Sequence, residues 1–227
     1  MARGVLFDYG GTLDGEGWHW FDRTLELYRR AGCTLPDLEI KRAFYAADEA
    51  IAEEALRAGY RLRPLVERHL ELEVEVLGDG AGRFLRAVVD GFCAITEEGW
   101  KRSRALFSRL AGRVRLGVVS NFYGNLEVLL EEAGLRPFLD DVVESAHVGV
   151  AKPDPAIYRL AAERLALPAA DLVMVGDNFE RDCRAAKSIG MGSIWIRRGD
   201  AEPAEKGVAD RVISRLDEIR DHDLGLS

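Results

Sequence analysis

Cysteine is scarce in this chain, and what there is does not pair. Cys33, Cys93 and Cys183 form no C-x-x-C and leave an odd count, which excludes a disulfide framework and reads as reduced thiols of a cytoplasmic protein. Long apolar runs are missing too. No stretch approaches the roughly 20 residues that span a bilayer, and the first strand begins almost at once with no apolar leader segment before it, so no membrane partner is expected. Positive charge is in deficit: 31 Lys and Arg stand against 39 Asp and Glu, a formal charge of −8, which disfavours general nucleic-acid binding. A protein this acidic that handles an anion must gather its positive charge locally. Histidine is rare, and His69 and His147 have no companions at metal-ligand spacing. There are no internal repeats and no low-complexity tracts. What remains is a globular composition, 48% hydrophobic and 31% charged over 227 residues, enough for one large domain, or a core with a smaller attachment, without covalent staples.

The apolar pattern divides the chain. Gly4 to Phe7 reads as a short buried strand. From about residue 15 to 97 the spacing is helical, as in Trp20-Phe21-Leu25-Leu27-Tyr28, Ile40-Phe44-Ala47-Ile51-Ala55 and Phe84-Ala87-Val88-Gly91-Phe92. Pro36-Asp37 and Gly78-Asp79-Gly80 punctuate this block, and Val74-Glu75-Val76 is too short to decide between helix and strand. After Gly99 strands and helices alternate. Strands are predicted at Val114–Val119, Val142-Val143, Leu172–Val175 and Ser193–Ile196. Helices are predicted at Asn125–Glu132, from an Asp154 cap with Pro155 in the first turn, and at Glu180–Ile189. That alternation implies an α/β fold with a parallel sheet and right-handed crossovers.

In such a sheet ligands bind at the carboxyl ends of the strands. Asp8, Ser120-Asn121, Lys152 and Asp177 fall there. Asp8 and Asp177 can together hold a hard cation such as Mg²⁺, with a carbonyl of the Gly10-Gly11 turn as a further oxygen. Ser120, and N–H groups freed at the strand end, can take phosphate oxygens. Lys152 lies in a proline-stiffened loop, where a fixed ammonium would neutralise phosphate charge, and Asp182 can orient it or a metal-bound water. Taken singly, each residue also reads as a turn, a cap or a solvated side chain. His19, between Trp18 and Trp20, reads first as part of an aromatic cluster and second as an acid or base. Cys183 reads as core.

Taken in order, the set resembles the haloacid dehalogenase-like (HAD) superfamily. Its first motif, a strand followed by Asp-x-Asp-Gly-Thr-Leu, stands here as Asp8-Tyr9-Gly10-Gly11-Thr12-Leu13. The second is similar to Val118-Val119-Ser120-Asn121, the third to Val148 through Tyr158 around Lys152-Pro153, and the fourth to Val175-Gly176-Asp177 with Asp182. The resemblance implies a Rossmann-like parallel-sheet core formed by residues 1–14 and 98–227, with residues 15–97 inserted as an all-helical cap. It implies a Mg²⁺-dependent hydrolase of a small phosphorylated metabolite. Asp8 would attack phosphorus, and the metal would be held by Asp8, the Gly10 carbonyl and Asp177. Thr12, Ser120 and Lys152 would support the transferring group, with phosphate bound by Gly11, Ser120, Asn121 and Lys152. Asp182 would stand behind them.

One position departs from that pattern. Phosphatases of the superfamily carry a second Asp two residues after the nucleophile, which protonates the leaving group and then activates water; here it is Gly10. General acid–base catalysis is worth about 10²- to 10⁴-fold, so slow turnover is expected unless Asp14, His19 or a cap residue substitutes. Two other functions stay open. Phosphonate C–P hydrolases of the superfamily also lack this Asp and use a cap lysine, for which Lys41 is the candidate here. A phosphate-binding or interaction protein without turnover is the other. Dehalogenation of 2-halo acids fits less well, because those relatives need no metal and do not keep the Gly176-Asp177 pair.

Overall fold

Every residue of Gly4–Phe7, strand β1, is buried, as expected of a strand covered on both faces in the middle of a parallel sheet. The structure, a computed structural model, describes residues 3–199 and 209–225. Five further strands complete one sheet: β2 (Arg115–Ser120), β3 (Asp141–Glu144), β4 (Leu172–Gly176), β5 (Gly192–Ile196) and β6 (Arg211–Ile213). All pairings are parallel, in the order β3-β2-β1-β4-β5-β6. The predicted strands fall on these within a residue or two. The three-residue β6 was not predicted, since so short a run carries no periodic signal and exists by pairing with β5.

Register explains why the site residues meet. Phe7 lies level with Val118 of β2 and with Val175 of β4. Asp8 therefore leaves the sheet between its two neighbours, and Ser120 and Asp177 each follow within a residue of that level. The chain's direction across the sheet reverses at β1, which opens a crevice at this carboxyl edge. β1 also divides the interior. Val5 and Phe7 join the larger core, with the helical segment, and Leu6 joins a second core against α7 (Pro155–Arg164).

Between β1 and β2 the described residues form no strand. The helices are α1 (Trp20–Arg30), α2 (Asp37–Ala58), α3 (Leu62–Leu77) and α4 (Leu85–Leu110). Each presents an apolar stripe at helical spacing, such as Ile40, Phe44, Ala47, Ile51 and Ala55 on α2. The undecided Val74-Glu75-Val76 belongs to α3, where Glu73 and Leu70 are buried one turn apart. α4 packs on α3 and α1 at its start and continues past residue 97 to the sheet, where Phe107 meets Phe7 with ring centroids 5.0 Å apart. Beyond β2 come α5 (Leu126–Glu132), α6 (Ser145–Val148), α7 and α8 (Ala185–Ser188). The predicted Glu180–Ile189 helix opens as a wide π-helical turn at Phe179–Arg184 and becomes α-helical only at Ala185. Asp154 caps α7, accepting from the Ala156 N–H at 2.8 Å. Among the described residues no helix is long and apolar enough to cross a membrane.

The helical segment is tied to the first strand's exit turn by a buried ion pair. Asp14 and Arg23 are 3.2 Å apart, and neither side chain is exposed. Asp14 also accepts from the Gly11 N–H at 2.6 Å and the Trp20 indole N–H at 2.6 Å. Arg23 donates to Thr96 Oγ1 at 2.7 Å and stacks over the Phe92 ring. Breaking a buried pair strands a charge in a medium that cannot solvate it. Arg23→Ala is therefore expected to cost about 3–5 kcal/mol in urea unfolding; a loss below about 1 kcal/mol would show that Asp14 finds other compensation.

Candidate active site

The turn after β1 shapes the site from its own backbone. Gly11 has φ of +81°, and a Cβ there would sit 2.3 Å from Asp177 Oδ2, so only glycine lets the turn close over that carboxylate. Gly176 is required for a similar reason, because a Cβ would come within 2.3 Å of Asp182. Gly10 differs. Its φ is −68°, and a Cβ would meet only the Trp20 indole, at 3.6 Å. The absence of a side chain at position 10 is therefore not imposed by the fold.

Asp8 lines the cavity, with one carboxylate oxygen engaged by three donors. Its Oδ1 accepts from the Tyr9 N–H at 2.8 Å and Ser120 Oγ at 2.7 Å, and pairs with Lys152 Nζ at 2.8 Å. Among the described residues nothing bonds Oδ2. Lys152 also bonds Asp182 Oδ1 at 2.6 Å. Burial opposes the lysine's charge, but Asp182 and Asp8 outweigh it and hold its pKa above the ordinary value. Asp182 is fixed by the Asn178 N–H at 2.9 Å. Thr12 Oγ1 reaches Asp177 Oδ1 at 3.4 Å. Asn121 is turned to positioning: its amide donates to the Lys152 carbonyl at 2.9 Å and accepts from the Lys152 N–H at 2.8 Å. Its backbone N–H is what remains for an anion.

Asp8, Asp177 and Asp182 each offer an oxygen within 4.8 Å of the others. Burial, then the charges of Asp8 and Asp182, push the Asp177 pKa well above the ordinary carboxylate value, and burial lifts Asp182 to about 6. Three carboxylates against one ammonium leave uncompensated negative charge, and an all-oxygen donor set suits a hard divalent cation.

The sequence-predicted residues Asp8, Gly10, Ser120, Asn121, Lys152 and Asp177 line one cavity of about 380 Å³. Thr12 and Asp182 lie buried behind it. Asp14 is committed to Arg23 and Trp20 and does not line the cavity, so it is no substitute acid. His19 does line it, but its Nδ1 caps α1 by accepting from the Phe21 N–H at 3.2 Å. Lys41 is exposed over the Phe21 ring and does not line the cavity, so among the described residues Lys152 is the cavity's one lysine. Cys183 is buried against Phe179 and Trp195, with burial raising its thiol pKa, in keeping with a core role.

A family model described as haloacid dehalogenase-like hydrolase matches residues 2–190. The chain belongs to that family. A glyceraldehyde 3-phosphate phosphatase of Methanocaldococcus jannaschii is 34% identical, with 97% of this chain and 96% of that protein covered. A phosphoserine phosphatase of Thermus thermophilus is 37% identical, with 96% and 91% covered. The chain matches only part of other relatives: the haloacid dehalogenase-like hydrolase domain-containing protein 3 of Danio rerio is 34% identical over 56% of this chain and 54% of its own length. In fold, the chain resembles the crystal structure of the HAD-hydrolase YfnB of Bacillus subtilis, at TM-score 0.58 and 19% identity over 99% of both chains.

The haloacid dehalogenase-like core supplies the cavity's floor, but its walls come from residues that sequence reasoning did not single out as functional: Phe44, Tyr45, Asp48 and Glu49 of α2, with Phe122, Tyr123 and Arg181. The available signal was the spacing of Phe44 and Asp48, one turn apart beside the apolar stripe of α2. The two turn glycines give a paired test. Gly11→Ala is expected to destabilise by about 1–3 kcal/mol in urea unfolding. Gly10→Ala should be neutral, or stabilising by up to about 1 kcal/mol. Equal effects would refute the difference between the two positions.

Proposed function

We propose that this chain is a Mg²⁺-dependent phosphatase acting on small phosphate monoesters through an aspartyl-phosphate at Asp8. The observation that carries the reading is Asp8 itself, with Oδ1 held by three donors and Oδ2 left free where the residue lines the cavity. The two relatives matched over nearly their whole length have names that describe phosphatases of small monoesters. In this proposal residues 1–14 and 98–227 form the core and 15–97 the cap, with α4 running through both, and the protein works in the cytoplasm.

Asp8 Oδ2 attacks phosphorus, and the bond from phosphorus to the leaving alcohol breaks. Ser120 and Lys152 hold Asp8 in line, and the Lys152 ammonium offsets the charge on the transferring group. Asp182 keeps Lys152 charged and in place. Asp8, the Gly10 carbonyl and Asp177 would hold the cation, which when bound supplies charge neutralisation at the phosphoryl oxygens. Water then attacks phosphorus, releasing phosphate and restoring the Asp8 carboxylate. No side chain at position 10 gives a proton to the departing alkoxide or takes one from that water, which slows both steps.

Three measurements test this. Mg²⁺ should bind by calorimetry, about tenfold or more weaker in Asp177→Asn. Because the Asp177 pKa is raised, protons compete with the cation, so affinity should fall from neutral to mildly acidic pH. Unchanged affinity in the variant would refute the metal assignment. Asp8→Asn should abolish Mg²⁺-dependent phosphate release while circular dichroism stays native, and residual turnover near wild type would exclude the covalent route. Gly10→Asp fits the observed φ and should raise turnover of poor leaving groups by up to about 10²-fold; a folded, metal-binding variant no faster on any substrate would count against the account of Gly10.

A further inference from the structure

The cavity that Asp8 lines is also lined by a second fixed carboxylate, Asp48 of α2. Asp48 Oδ1 is held by the Tyr123 hydroxyl and by His69 Nε2 at 3.1 Å. His69 is buried on α3, and its Nδ1 meets Glu73 Oε1 at 3.0 Å. Burial alone would lower the His69 pKa, but its bonds to Asp48 and Glu73 outweigh that and raise it to about 9. The ring is therefore an imidazolium at neutral pH and donates from both nitrogens. That pins one oxygen of Asp48. Among the described residues nothing bonds Asp48 Oδ2, and the side chain is 30% exposed where it lines the cavity.

The surroundings of that oxygen suit a cation. Glu49 brings a second carboxylate to the same wall, and Trp20, Phe44, Tyr45 and Phe122 present aromatic surface to the cavity. Arg181 also lines it but forms no salt bridge with Asp48 or Glu49 among the described residues. A neutral polyol could donate hydrogen bonds to the carboxylates, but a cation adds charge attraction to both acids and to the rings, and a second anionic group beside Asp48 would be repelled. An ammonium gains a charge-assisted hydrogen bond and the attraction of the ring faces together.

We infer that Asp48 is a specificity-determining residue that receives a primary ammonium on the leaving group, so that the preferred substrates are phosphate monoesters of amino alcohols. The inference rests on the phosphatase reading for placing the phosphoryl group at Asp8. Tyr123 belongs to the loop after β2 while Asp48 and His69 belong to the helical segment, so the receptor is complete only with the two parts together.

The test uses a matched pair in which the charged nitrogen replaces a methyl group of equal size. With the full chain and Mg²⁺, kcat/KM for 2-aminoethyl phosphate should exceed that for propyl phosphate by about tenfold or more. The non-hydrolysable 3-aminopropylphosphonate should bind more tightly than butylphosphonate by a similar factor in calorimetry. Asp48→Asn should bring both ratios to within about twofold of one, and Glu49→Gln should lower them less. Each ratio is taken within one preparation, so a partly folded variant does not distort it, and if Asp48→Asn does not fold, the wild-type ratios and Glu49→Gln still decide. Wild-type ratios near one, or a preference that survives in Asp48→Asn, would overturn the inference. Turnover of neither ester with selective phosphonate binding retained would overturn the phosphatase reading and support ammonium recognition. Neither turnover nor binding would overturn both.

Discussion

Like charges crowded at a sheet edge are the constraint on which the rest of this structure turns. Asp8, Asp177 and Asp182 bring oxygens within 4.8 Å of one another, and burial strengthens the repulsion that water would otherwise screen. Lys152 offsets part of it by bonding Asp8 and Asp182 at once. The remainder is carried by backbone and side-chain donors: the Tyr9 N–H and Ser120 on Asp8, the Asn178 N–H on Asp182, and Thr12 on Asp177. Asp177 has the weakest support, and burial together with the charges of Asp8 and Asp182 raises its pKa. An electrostatic imbalance of this kind fits a site that admits a cation and a phosphate together.

The same turn that presents Asp8 also anchors the helical segment. Asp14, six residues on, binds the Gly11 N–H and reaches Trp20 and Arg23 on α1. The geometry of the Gly10-Gly11 turn and the seating of α1 are therefore one arrangement. Trp20 stands over Gly10 because its indole N–H is held by Asp14, and Trp20 is also part of the cavity wall. This explains how an acid next to the first motif can be indispensable to the site's shape while taking no part in proton transfer.

The cavity thus has two chemically distinct ends. At the floor, strand-end residues hold a lysine, a serine and carboxylates around the place where phosphorus would sit. At the wall, α2 supplies aromatic rings and the pair Asp48 and Glu49, backed by the buried His69 and Glu73. Both acids of the wall come from the helical segment, and under the proposal above that is where leaving groups would be distinguished.

Much of the floor was legible in the sequence, because its chemistry is local. A buried run ending in Asp8, the Gly10-Gly11 turn, Lys152 between prolines and Gly176-Asp177 each announce themselves within a few residues, and the parallel register then brings them together. Asp182, a candidate partner for Lys152 or for a metal-bound water, meets the Lys152 ammonium at 2.6 Å. What tertiary structure alone decided depends on groups far apart in sequence. Asn121 spends its amide on the Lys152 backbone, and Asp14 is consumed by Arg23. Lys41 points away from the cavity, and β6 exists only because β5 offers it an edge. Asp48 acquires its meaning from His69 and Tyr123, 21 and 75 positions away. Periodicity shows which face of α2 is apolar, but not which polar residue at that face's margin will meet a loop from the sheet, because that contact is set by how the two layers pack rather than by any local preference of the chain.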